Sequence, residues 1–212
     1  MTLALRHVSL RLGTRLLIAP FSLDVDAGEI VTLMGPSGSG KSSLLSFIGG
    51  DLEGPIEGLG DLLVDGQSVT PLPPERRRTG RLFQDDFLFP HMTVGENLLF
   101  GMGGAERGAR MAEALAEAGL TGFAARAPHT LSGGERSRVA LLRSLLAEPR
   151  VMLLDEPFAR LDADLRQAMR DFTFRNLAGR GIATLLVSHD RADAPAGGRV
   201  LRISPRGELH DD

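Results

Sequence analysis

EIVTLMGPSGSGKSS, Glu29 to Ser43, decides how the rest of the chain is read. Its first six residues, EIVTLM, read as a short buried strand, and the glycine-rich stretch after them leads into Ser42 to Ile48, a helical pattern closed by Gly49-Gly50. Strand, glycine loop and helix start in that order make a cradle for phosphate, and Gly35 to Ser42 carries the matching spacing Gly-x-x-x-x-Gly-Lys-Ser. Chance alone would put that pattern in roughly one chain in a hundred of this length. Gly35, Gly38 and Gly40 open backbone conformations that turn successive N–H groups inward around phosphate oxygens, with Pro36, Ser37 and Ser39 between them. The helix starting near Lys41 adds its positive end. Lys41 is the only lysine among 24 basic residues, and it stands where a slim point charge reaches the β and γ phosphates and a broad guanidinium would not. Ser42 is the expected hydroxyl ligand for Mg²⁺, and Ser43 completes the loop residues expected on the nucleotide.

Outward from this stretch, short apolar strands alternate with helical patterns. Asp61 to Val64, Gly80 to Phe83, Val151 to Asp155 and Ile182 to Val187 read as strands, and helices are expected over Gly133 to Ala147 and from Leu161 to Asn176. Buried strands between helices make a parallel sheet covered on both faces. Leu3 to Leu12 and Phe21 to Val25 alternate instead, which predicts antiparallel strands with one wet face. The glycine-rich section 85–130, with a helix over Arg110 to Ala118, reads as a helical insertion. One domain over 1–212 is therefore expected, with 1–84 and 131–212 as an α/β core and 85–130 as a helical subdomain.

Composition narrows the function. The net charge is −3 and only 5% of the 212 residues are aromatic, so nucleic-acid binding is not expected. Without cysteine, disulfides and thiolate zinc sites are excluded, and the five histidines are scattered. No apolar run reaches the roughly 18 residues of a membrane span. Arg76-Arg77-Arg78 reads as a solvated turn.

Two further motifs carry chemistry. VMLLDEP, Val151 to Pro157, ends a buried strand in two adjacent acids: Asp155 suits the metal, and Glu156 suits polarising an attacking water. LSGGE, Leu131 to Glu135, is a second anion motif, in which the Ser132 hydroxyl and the free N–H groups of Gly133 and Gly134 stand at a helix start.

With these motifs in order, and with Gln84 after a strand, Leu161-Asp162 after the acids and His189 after the last buried strand, the chain resembles the ATP-binding subunit of an ABC transporter over essentially its whole length. The resemblance implies an α/β phosphate-loop ATPase core with an antiparallel β subdomain and a small helical subdomain, binding ATP and Mg²⁺. It further implies that two subunits, expected to be identical, pair head to tail, so that Ser132 and Gly134 of one bind the γ-phosphate held by Lys41 of the other. It assigns Gln84 to Mg²⁺ and to sensing a transmembrane permease, Asp162 to the contact across the dimer, and His189 to the γ-phosphate and attacking water. The expected partners are permease subunits and a solute-binding protein, and the expected location is peripheral, on the cytoplasmic face of the inner membrane.

FQDDFLFPHMTVGENLLFG, Phe83 to Gly101, resembles binding-protein-dependent importers, near the thiamine type, with Phe87, Phe89, Pro90 and Met92 as an apolar patch beside Gln84. Residues filling the helical subdomain's core would give the same pattern. The chain runs only briefly past its last strands, so the C-terminal regulatory domain of some sugar importers is not expected. Lipoprotein-release and export ATPases share the core. A soluble DNA-repair or translation ATPase of the family is disfavoured by the lack of coiled coils and of a second ATPase unit. Phosphate-loop kinases and GTPases lack a motif of the LSGGE kind. The chain departs from the family in having Leu12 where an aromatic ring usually meets adenine, Glu135 for the commoner Gln, and Ala159-Arg160 before Leu161.

Overall fold

The computed structural model describes residues 1–212, with fifteen strands and helices. In chain order these are β1 Leu3–Leu12, β2 Arg15–Val25, β3 Ile30–Met34, α1 Lys41–Gly49, β4 Ile56–Val64, β5 Gln67–Ser68, β6 Thr79–Leu82, α2 Val94–Phe100, α3 Arg107–Glu117, α4 Gly133–Leu146, β7 Val151–Asp155, α5 Ala163–Gly179, β8 Ala183–Val187, β9 Val200–Ile203 and β10 Leu209–Asp211. The architecture is α/β, with two sheets as the sequence predicts. One is antiparallel, ordered β2-β1-β4-β5; the other is ordered β10-β9-β3-β8-β7-β6 and is parallel except for β10 against β9.

The central parallel strands β3, β7 and β8 are mostly apolar because both their faces are covered. Val31, Leu33, Val151, Leu153, Leu185 and Val187 face α1 and the antiparallel sheet, in a core of 24 buried residues. Their neighbours Ile30, Met152, Leu154 and Leu186 face α4 and α5 on the other side. Helix α1, with Leu44, Leu45, Phe47 and Ile48 buried, thus lies between the two sheets and carries the glycine loop at the end of the central strand β3.

Helices α2 and α3 pack with α4 in a third cluster through Val94, Leu98, Leu115, Val139, Leu142 and Leu146. Helix α4 is two-sided, since Ala140, Leu141 and Leu145 join the sheet cluster. It ties the helical layer of the 85–130 segment to the sheet, so the same helix serves both layers.

Several elements differ from the expectation. Strand β2 begins at Arg15, six residues before Phe21, and includes Pro20, which an edge strand tolerates because no neighbour needs its missing N–H. Strand β4 begins at Ile56, and α2 was not foreseen. Arg77 is not solvated: it is 8% exposed, and its guanidinium donates to the carbonyls of Phe47, Ile48, Thr70 and Leu72, capping the end of α1 with a cation. Arg76 and Arg78 beside it are exposed. No helix is long and apolar enough to cross a membrane.

Candidate nucleotide site

The loop between β3 and α1 places the phosphate-cradle residues together. Gly40 caps α1 with φ +92°, a left-handed conformation, and a side chain there would press on Leu17 of β2. No side chain closes this helix end, so its first N–H groups face the loop. Pro36, Ser37 and Gly38 are exposed, while Ser39 is buried with its hydroxyl lacking a hydrogen-bond partner. Lys41 is 7% exposed, and its ammonium donates to the carbonyls of Gly35 and Pro36 at 2.9 Å each. Burial holds Lys41 below the ordinary lysine range, against the opposing pull of the Glu156 and Asp155 charges.

The second element arrives from β7. Ser42 Oγ donates to Asp155 Oδ1 at 3.0 Å, joining the helix start to the end of that strand. Burial raises the Asp155 carboxyl above the usual range, against the Ser42 hydrogen bond and the Arg81 guanidinium, whose Nη2 lies 3.9 Å from Oδ2. Arg81 in turn bonds Asp51 at 2.5 Å, and with Ser42, Ser43 and Phe83 it lines a cleft of about 400 Å³. Glu156 follows with φ +48°, rare for a residue with a side chain, and its N–H donates to Val187 O at 3.0 Å. Strain of this kind at the end of a strand turns the carboxylate out of the sheet. Its Oε2 lies 3.3 Å from His189 Nδ1, and the imidazole is 61% exposed.

The third element stands at the start of α4. Ser132 is its N-cap: the hydroxyl accepts from Glu135 N–H at 3.4 Å, and the Glu135 carboxylate accepts from Ser132 N–H at 2.7 Å. This backbone bond holds the Glu135 carboxyl below its usual range. Ser132 and Gly133 are exposed, so the turn is open to an outside ligand; Gly134 is buried against Leu165 of α5.

The structure thus gathers Lys41, Ser42, Asp155, Glu156 and His189 at the ends of β3, β7 and β8. Gln84 is exposed past the end of β6 and makes no hydrogen bond to the acids. Asp162 is exposed and caps α5, its side chain accepting from Leu165 N–H at 2.9 Å. Leu12 and Leu16, 38% and 40% exposed at the β1–β2 hairpin, offer aliphatic surface where an aromatic ring was lacking. The sequence reading missed Arg81, and it missed Arg166 and Asp193, which grip the turn after His189. A lone arginine two residues after a strand start gives no sign of its partner, and pairs 27 residues apart leave none in a single sequence.

A glycine loop with a buried lysine, a strand-end acid pair and a separate serine-glycine helix start are the features of a phosphate-loop ATPase. The chain belongs to the ABC transporter family, whose model matches residues 18–159, and it is the ATP-binding, ATP-hydrolysing component. It is 44% identical over 214 residues to the uncharacterized ABC transporter ATP-binding protein YnjD of Escherichia coli (strain K12), covering 99% of this chain and 98% of that protein. It is 40% identical to the Fe(3+) ions import ATP-binding protein FbpC of the same organism, over 97% of this chain and 60% of the relative. To the sulfate/thiosulfate import ATP-binding protein CysA of Caulobacter vibrioides (strain ATCC 19089 / CIP 103742 / CB 15) it is 39% identical, over 100% of this chain and 67% of the relative.

Proposed function

We propose that the chain powers solute import by closing, as a pair of identical copies, around two ATP molecules. The observation that carries this reading is the split between the two anion motifs. The loop holding Lys41 and Ser42 faces Asp155, whereas Ser132 and Gly133 lie exposed on another helix, ready for a second copy's phosphates. In each composite site Gly35, Pro36, Ser37, Gly38, Ser39, Gly40, Lys41, Ser42 and Ser43 wrap the triphosphate of their own chain. Ser132, Gly133 and Gly134 reach the γ-phosphate from the partner, and Asp162 contacts across the pair.

The Ser42 hydroxyl and the Asp155 carboxylate, 3.0 Å apart, are hard oxygen donors of the kind Mg²⁺ takes, and Gln84 is the third expected ligand. When bound, Mg²⁺ neutralises phosphate charge. Lys41 exchanges the carbonyls of Gly35 and Pro36 for phosphate oxygens, an alternative partner of greater charge. Glu156 orients and deprotonates the attacking water, and His189, 3.3 Å away, aligns it with the γ-phosphate. Adenine rests on Leu12 and Leu16.

Closure of the pair drives permease subunits fed by a solute-binding protein, from a peripheral position on the cytoplasmic face of the membrane. Phe87 and Phe100, 60% and 63% exposed beside Phe83 and Phe89, support a docking patch for the permease. Relatives named for import of Fe(3+), sulfate or thiosulfate, and spermidine or putrescine support the inward direction. Glu156→Gln should keep ATP binding and lower turnover by about 10²–10⁴-fold, read as phosphate release beside nucleotide binding. Turnover at the parent rate would remove Glu156 from the base role.

A further inference from the structure

We propose that Arg166 and Asp193, with Ser188 and Arg170, form a clamp that fixes the turn carrying His189 and so sets the imidazole against Glu156. The inference rests on the role given to His189 above. The imidazole is 61% exposed, and its one close polar neighbour is Glu156 Oε2 at 3.3 Å, so the side chain has little of its own to hold it. Its position is inherited from the backbone of residues 188–193.

That backbone is tied down on both sides of His189. Asp193 is 1% exposed and receives the Arg166 guanidinium through two bonds, Nε to Oδ1 at 2.8 Å and Nη2 to Oδ2 at 2.6 Å. A two-pronged bond of this kind fixes the plane of the carboxylate as well as its distance. The same carboxylate accepts the Ser188 hydroxyl at 2.6 Å, and Ser188 Oγ accepts the Asp190 N–H at 3.1 Å. The residues immediately before and after His189 therefore hang from one buried carboxylate. Arg166 also reaches Asp190 at 3.1 Å, and Arg170, one turn further along α5, pairs with Asp193 at 3.4 Å and donates to the Ala192 carbonyl.

A buried ion pair is a weak source of net stability, because desolvating both charges offsets most of their attraction. It does hold a geometry, and the geometry held here is that of the His189 turn. Arg166 N–H donates to the carbonyl of Asp162 at 2.8 Å, so the clamp springs from the same helical turn as the residue assigned to the contact between copies. Neither Arg166 nor Asp193 reaches the reacting atoms; both are positioning residues acting through Ser188 and His189.

The test uses the full chain with Asp193→Asn, Arg166→Gln, His189→Ala and the Asp193→Asn/His189→Ala pair. Each is measured for kcat, for the Kd of ATP by displacement of a fluorescent ATP analogue, and for amide hydrogen exchange over 188–193. The clamp predicts that Asp193→Asn lowers kcat about ten- to hundredfold with Kd unchanged, since a misplaced group costs rate rather than binding. It also predicts faster exchange over 188–193, and no further loss when Asp193→Asn is added to His189→Ala. Should Asp193→Asn fail to fold, Arg166→Gln, at a side chain 20% exposed, carries the same predictions. Parent kcat in a folded clamp variant, or losses that add in full to that of His189→Ala, would overturn the inference. If His189→Ala itself turned over at the parent rate, the role of His189 would fall, and the exchange data would still decide whether the clamp holds the turn.

Discussion

Asp155 sits where burial works against its charge, and that tension links stability to function in one side chain. Its folded carboxyl is raised above the ordinary aspartate range by burial, with Ser42 and Arg81 offsetting part of the effect. A carboxyl that binds its proton more tightly when folded is most favourable at low pH. The fold loses this contribution as pH climbs from the ordinary aspartate value through the raised one. Asp155→Asn keeps an oxygen for the Ser42 hydroxyl and sheds the buried charge. It should therefore raise the melting temperature of the nucleotide-free protein at pH 7, with the difference from the parent shrinking toward pH 4. A gain of about 1 kcal/mol corresponds to roughly 2–4 °C for a domain of this size. The same variant should lose the added stabilisation that Mg²⁺ gives beyond ATP alone. A lower melting temperature across the whole pH range would contradict the burial effect.

Between elements, the start of α4 and the start of α5 meet at Gly134. A β-carbon there would lie 2.5 Å from Leu165 Cδ1, so any side chain at the second glycine of the serine-glycine-glycine turn must displace the Leu165 side chain. Gly134→Ala should cost about 1–3 kcal/mol in denaturant unfolding, and Leu165→Ala in the same chain should recover part of it, a non-additive pair. A loss in the double variant equal to the sum of the two single losses would contradict this contact. Such pairings mark the limit of reading the chain alone. The β3, β7 and β8 strands were legible because both their faces are buried, and so were α1 and α4 with their glycine and serine starts. Helix α2 was not: seven residues with Gly95 near the start give too short a period, although Thr93 and Glu96 form a capping box that signals it. The acids and Lys41 were legible from spacing, whereas Arg77, Arg81, Arg166 and Asp193 look like surface residues until the fold buries them or supplies their partners.

Across the whole molecule, the two sheets and the helical layer leave the glycine loop and the exposed Ser132-Gly133 turn on separate elements, and joining them is the task assigned to a second copy. The most direct measurement is the solution mass of the Glu156→Gln protein with Mg²⁺ and ATP, by light scattering on a size-exclusion column. A nucleotide-dependent species of about twice the 22.7 kDa chain, lost when Ser132→Arg is added while ATP binding persists, is the predicted result. A protein that binds ATP yet stays at the mass of one chain at every concentration would contradict the shared site.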